Sequence, residues 1–219
     1  MKNKILPVVA FCAFLVSGCD YEFTGELIFS DIDYATKNPD ESTFVNGQFL
    51  IEVNSDDNKT KKNVIKLLSG IFYDMEFIGF EDRDFDTLAK IKVKIPLLPN
   101  ANDKRMGQSL FSLLIDTKNS ILYLVTSPEK VEILNNRLKE ELSSLDISGG
   151  TFKIKIMNDL RKDLSITINE SVFINNKPHL PTIHGTNLPI ESRDSIELKL
   201  GNVSMHYLES KNNTPVFRY

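Results

Sequence analysis

Phe49, Ile51 and Val53 alternate with polar residues in the stretch from Phe44 to Val53, and this period of two predicts a strand. Val64, Ile65, Leu67, Leu68, Ile71 and Phe72 then recur with helical spacing over 60–72. The acids in Asn54-Ser55-Asp56-Asp57-Asn58 suit the positive end of that helix dipole. Met75 to Phe80 reads as a strand. Leu88 to Ile95 reads as another, ended by Pro96 and Pro99. Leu110 to Ile115 and Ile121 to Val125 flank a turn at Lys118-Asn119 and predict a hairpin. Ser127 is suited to cap a helix that starts with Pro128. Its apolar stripe is Val131, Leu134, Leu138, Leu142 and Leu145, closed by Gly149-Gly150. Phe152, Ile154 and Ile156 begin an alternating strand.

Before these elements, residues 22–32 are strand-like through Phe23, Leu27, Ile28, Phe29 and Ile32, and 33–43 read as a loop. After them the helical pattern stops. Ile166, Ile168, Val172 and Ile174 lead to a turn at Asn175-Asn176-Lys177-Pro178. A proline-rich loop runs from Pro178 to Pro189. Ser195 to Leu200 and Val203 to Leu208 flank Gly201-Asn202, a two-residue hairpin signal. The expected fold is α+β: a two-layer sandwich of a mainly antiparallel sheet with two helices on one face, plus a C-terminal all-β appendage. The expected organisation is an N-terminal signal over 1–18, an α+β domain over 19–157 and a β-rich extension over 158–219.

The N-terminal segment changes the picture most. Lys2 and Lys4 precede an apolar run from Ile5 to Leu15, interrupted only by Pro7. Leu15-Val16-Ser17-Gly18-Cys19 follows. The run is too short to cross a bilayer, which needs about 20 apolar residues. It has the form of a cleaved export signal. The small residues followed by a cysteine resemble the lipobox of bacterial lipoproteins. That resemblance implies cleavage before Cys19 and attachment of a diacylglycerol to its thiol. Two or three acyl chains make a stable anchor where one is marginal. Asp20 resembles the inner-membrane retention signal of enterobacterial lipoproteins, with outer-membrane placement as the alternative. The expected location is the periplasmic face of a membrane, with the lipid as the sole anchor.

Charge and cysteine content narrow the partners. The chain has 26 Lys and Arg, 30 Asp and Glu, and a net charge of −4. Loss of Lys2 and Lys4 with the signal makes the remainder more acidic, which argues against nucleic acid as a partner. Cys12 lies within the signal, so residues 20–219 carry no thiol and form no disulfide. Cysteine nucleophiles, Cys-rich zinc sites and iron–sulfur clusters are excluded there.

Other chemistry is sparse. Asp82, Asp84 and Asp86 form a D-x-D-x-D run, but an EF-hand then needs glycine and glutamate where Thr87 and Val93 stand. A solvated loop is the simpler reading. His179, His184 and His206 have no zinc-ligand spacing, and isolated surface or packing histidines are expected. No nucleophile elbow, zinc-protease motif or glycine-rich phosphate loop occurs in a credible place. No catalytic residue, cofactor or metal is assigned. The 14 Phe and 6 Tyr, with no Trp, are mostly core material, with some free for a partner face. Pro215 to Tyr219 reads as a final edge strand.

Residues 24–98 also resemble an uncharacterised family of small bacterial lipoproteins found in phage and mobile-element contexts. The resemblance rests on Ser30-Asp31-Ile32, Gly47-Gln-Phe-Leu-Ile-Glu-Val53, Met75-Glu-Phe-Ile-Gly79 and Ala89-Lys-Ile-Lys-Val-Lys-Ile-Pro96. In the family pattern a cysteine follows the Glu-Val segment and another lies in the strand after the helix. Ser55 and roughly Gly79-Phe80 stand there in this chain, so a disulfide at that place would be missing. The resemblance implies no activity. The expected function is a lipid-anchored binding module of the cell envelope with an envelope protein as partner. The alternatives are a periplasmic hydrolase without a recognisable motif and a structural envelope component.

Overall fold

The computed structural model describes residues 21–84, 86–139, 149–180 and 182–219. Cys19 and Asp20 lie outside them. The elements in chain order are β1 (Tyr21–Ile28), α1 (Phe29–Lys37), β2 (Thr43–Val53), α2 (Asn58–Leu68), β3 (Asp74–Arg83), β4 (Asp86–Leu98), β5 (Phe111–Asp116), β6 (Ile121–Thr126), α3 (Pro128–Lys139), β7 (Thr151–Met157), β8 (Leu164–Ile168), β9 (Val172–Ile174), β10 (Lys177–His179), β11 (Thr186–Ile190), β12 (Ser195–Leu200), α4 (Asn202–Lys211) and β13 (Asn213–Arg218).

One sheet connects all thirteen of these strands. Its path is β10-β9-β12-β7-β1-β2-β4-β5-β6-β13-β8-β11, and β3 pairs with β4 beside that path. The expected two-helix sandwich with a C-terminal appendage is therefore corrected. Four helices occur among the described residues, and the C-terminal strands are integral to the sheet. β9 and β12 extend it beyond β7, while β13 joins β6 to β8. Pro215 to Tyr219 is accordingly not an edge: β13 has neighbours on both sides.

β4 is the joint. β2 pairs along it from Thr87 to Leu97. Its other side is shared, with β3 beside residues 86–94 and β5 running parallel at Leu97 and Leu98. Pro96 falls between the two partners, where no neighbour on that side asks for the N–H it lacks. The strand expected to end before Pro96 thus continues through it to Leu98.

The two parts of the sheet close on an aromatic core. Tyr21, Phe23, Gly25 and Leu27 of β1 face inward, while Glu22, Thr24 and Glu26 face out. The fully buried Phe111 of β5 lies 5.9 Å from Tyr21, 5.7 Å from Phe23 and 5.8 Å from Phe152, ring centre to ring centre. Phe23 and Phe152 stack at 4.7 Å. Gly25 and Gly47 face each other across β1 and β2. The Phe23 ring covers them so closely that a Cβ on Gly47 would stand 2.7 Å from it. Glycine there makes room for the ring.

Two helices stand where the hydrophobic pattern predicts none. α1 falls across the junction of the expected strand and loop, because its inward face is only Ile32 and Ala35. Asp159, after β7, accepts the Ser30 N–H at 3.0 Å and the Ser30 hydroxyl at 2.6 Å, so the start of α1 is capped from a distant segment. Burial, and then the nearby Asp159 charge, raise the pKa of Asp31. α4 replaces the strand expected at 203–208. Alternation would place Val203, Met205 and Tyr207 together, but Val203 and Tyr207 are exposed while Ser204, Met205 and Leu208 are buried. Gly201-Asn202, expected as a hairpin turn, is instead the start of this helix, which Asn212, left-handed at φ 59°, ends.

The helix expected after Ser127 does form, and the Ser127 hydroxyl accepts the Lys130 N–H at 3.3 Å. Its stripe beyond Lys139 lies outside the described residues. Arg137 of α3 donates to the carbonyls of Leu67 and Ser69 at 2.7 Å each, satisfying the last turn of α2.

Candidate functional site

Alternation on β1, β2, β4, β7 and β12 places one polar row per strand on the outer face of the sheet. The register aligns these rows across strands. Lys199 lies beside Lys153, Lys153 beside Thr24, Thr24 beside Gln48, Gln48 beside Lys92 and Lys92 beside Glu76. One step along, Glu197, Lys155, Glu26, Asn46, Lys94 and Asp74 form a second row. Charge alternates along the second row, while the first sets two lysines side by side and then Thr24 and Gln48 before Lys92 and Glu76.

Ion pairs order much of the face. Glu22 accepts from Lys153 and from Arg83, each at 3.0 Å. Burial acts to raise the Glu22 pKa, but the hydrogen bonds and charges of Lys153 and Arg83 outweigh it and hold the carboxyl below its usual range. Arg83 also reaches Glu81 at 3.2 Å, and Lys94 reaches Asp74 at 3.1 Å. Lys199 lies 5.4 Å from the Phe173 ring centre, a cation–π contact at the edge of the rows.

In the middle is an open depression of about 320 Å³ lined by Thr24, Glu26, Asn46, Gly47, Gln48, Ile78, Lys90 and Lys92. Gly47 contributes backbone to its floor, its missing side chain lying on the inner face against Phe23. Ile78, beside a bulge between Phe77 and Gly79, stands on the outer face and is 52 % exposed. Lys92 has no carboxylate within ion-pair distance among the described residues. The depression thus offers the ammonium groups of Lys92 and Lys90, the Glu26 carboxylate, the Thr24 hydroxyl, two carboxamides and one aliphatic side chain.

The residues singled out from the sequence do not assemble into a site. Cys19 lies outside the described residues. His179 ends β10, at one end of the sheet path, and His184 lies in the loop leading to β11, at the other. His206 is on α4, 3.9 Å from Glu209. Asp82 and Asp86 flank the tip of the β3–β4 hairpin, with Asp84 left-handed at φ 56°, and Asp82 accepts the Thr87 hydroxyl at 3.2 Å. Among the described residues no three His, Cys, Asp or Glu side chains are placed to hold a metal. The lysine rows were visible as the polar positions of Lys90, Lys92, Lys94, Lys153 and Lys155, but their alignment depends on strand neighbours distant in sequence, such as Gln48 beside Lys92 and Thr24 beside Lys153.

Comparison with known proteins places the chain in a family. A family model described as a domain of unknown function, DUF7424, matches residues 22–219, and the protein belongs to that uncharacterised family. The match begins one residue into β1 and includes β13, as expected for one continuous sheet. No curated protein and no solved structure matches it significantly. Among the described residues no helix is long and apolar enough to cross a membrane.

Proposed function

We propose that the protein is a lipid-anchored binding module of the bacterial cell envelope, held through Cys19 and presenting the outer sheet face to an envelope protein. The observation that carries this reading is the signal-like pattern ending at Cys19, followed at once by β1 from Tyr21. Two residues of chain reach at most about 7 Å, so an anchor at Cys19 keeps the domain against the bilayer. Thr24 and Glu26 lie three and five residues along β1 from Tyr21, which puts the depression about 10–17 Å further out, clear of the lipid surface. A polar, solvent-accessible rim around an exposed aliphatic residue matches the rim of a non-obligate protein interface. The resemblance over 24–98 adds a phage or mobile-element origin to this reading, and Asp20 favours retention at the inner membrane.

The test has two arms. Cys19→Ala abolishes incorporation of a fatty-acid analogue and moves the protein from the membrane to the soluble fraction. Capture from solubilised membranes retains an envelope protein, and Lys92→Glu lowers its yield roughly tenfold, the equivalent of about 1.4 kcal/mol. Label that persists in Cys19→Ala sinks the anchor. Capture of no partner, together with turnover of a substrate, sinks the binding role.

A further inference from the structure

Two of the most exposed aliphatic side chains in the described structure sit together on one loop. Leu180 is 79 % exposed and Ile183 is fully exposed. They belong to the connection between β10 and β11. Exposure of single apolar residues is ordinary. Their position is not.

Strand register locates this loop. Glu22 of β1 lies beside Thr151, Lys153 beside Lys199, Leu200 beside Val172 and Val172 beside His179. The chain therefore leaves β10 at the same end of the sheet at which it enters β1 from Cys19. The other base of the loop is at this end too. A Cβ on Gly185 would stand 3.1 Å from the Ile168 carbonyl, and three residues separate Ile168, the end of β8, from the start of β9. Gly201, just after β12, donates to the carbonyl of Ser171, just before β9, at 3.2 Å, and the exposed Val203 follows it in α4. Four strand spacings separate β10 from β1, a lateral distance of roughly 19 Å.

We infer that Leu180 and Ile183, between β10 and β11, make a second membrane contact, inserting their aliphatic side chains into the bilayer to which Cys19 ties β1. The inference rests on the lipid-anchor reading of Cys19. A tether of about 7 Å brings the whole end of the sheet to the lipid surface. Apolar groups on an interfacial segment reach about 5–10 Å into the headgroup and acyl boundary. On the loop's side of β1 this end carries Glu170, in the β8–β9 connection, and His184 on the loop itself; most of its carboxylates lie on the other side. The hairpin tip with Asp82, Asp84 and Asp86 is three strands away in the opposite direction, beyond β2 and β4. Contact through the loop therefore leans the domain toward β10 and leaves these carboxylates in water. It also fixes which way the outer sheet face points, which a single flexible anchor does not.

The absence of tryptophan supplies the experiment. The full chain with Ile183→Trp is purified from membranes and reconstituted in vesicles of phosphatidylethanolamine and phosphatidylglycerol. Its intact mass reports acylation. Its emission shifts to the blue, and nitroxide-labelled lipids quench it. Ile78→Trp, on the outer sheet face, keeps a water-like emission in the same vesicles. An acylated Ile183→Trp protein whose emission stays water-like and unquenched overturns the loop contact and leaves the anchor standing. A protein without an acyl group overturns the anchor, and the loop contact falls with it.

Discussion

Phe111→Ala lowers the free energy of unfolding by about 3–5 kcal/mol, the range for deleting a buried aromatic ring. A domain of this size is stable by about 5–15 kcal/mol, so the variant stands near the edge of folding. The reason is placement as much as size. Phe111 is the first residue of β5, the strand that joins the β4 side of the sheet only at Leu97 and Leu98. Its ring meets Tyr21, Phe23 and Phe152, which belong to β1 and β7 on the other part of the sheet. Ring pairs of this geometry add about 0.5–1.5 kcal/mol beyond area burial. Losing the ring leaves a cavity between two sheet parts that few backbone hydrogen bonds hold together. Urea denaturation followed by circular dichroism measures it. Phe173→Ala, on a half-buried ring at the outer face, is the comparison and costs about 1 kcal/mol or less. Equal losses in the two variants would show that the ring cluster is not what closes the sheet.

That closure marks where the sequence stops being informative. Local pattern carries the strands around Phe49, Phe111, Ile121 and Phe152, the start of α3 at Ser127 and the turn at Asn175-Asn176, because two or three adjacent residues decide each. Asn175 and Asn176 hold φ of 47° and 63°, a conformation asparagine tolerates better than most residues. α1 and α4 fail the same reading for a physical reason. Each buries two or three side chains on one short face, and α1 takes its N-terminal partner from Asp159. The parallel pairing of β1 with β7 spans about 130 residues and has no local signature. The candidate face was legible only as polar positions on separate strands. Their union into rows, the bulge at Ile78 and the bare backbone at Gly47 all follow from register. The lipid-anchor reading is the reverse case: it is wholly local in sequence and lies outside the described residues.

Arg105→Ala costs a similar amount, about 3–5 kcal/mol, because it strands a buried charge. Arg105 and Asp103 are 4 % and 5 % exposed at their side chains. The guanidinium donates to both carboxylate oxygens, at 2.9 and 2.6 Å, and to the Thr43 carbonyl at 3.3 Å. The Arg105 backbone N–H adds a fourth bond at 2.8 Å. This fork ties the segment between β4 and β5 to the start of β2, so it supports the same joint as Phe111. Lysine does not rescue it, since one ammonium cannot reproduce the planar pair of donors. The hydrogen bonds from Arg105, against the opposing effect of burial, hold the Asp103 carboxyl below the usual carboxylate range. A carboxyl whose pKa is lower in the folded state stabilises fully above the unfolded value of about 3.9, and that contribution is lost as pH falls through the folded value. In Arg105→Ala the guanidinium bonds are lost and the residue-105 backbone N–H remains, so burial has less to offset it, the Asp103 pKa rises from its wild-type folded value and the stability gained from the charged form shrinks. The gap between wild type and variant is therefore widest near pH 7 and narrows toward about pH 4. Urea midpoints measured across that range decide the matter. A gap that stays constant with pH would assign the loss to the guanidinium group stacked over the Phe44 ring rather than to the ion pair.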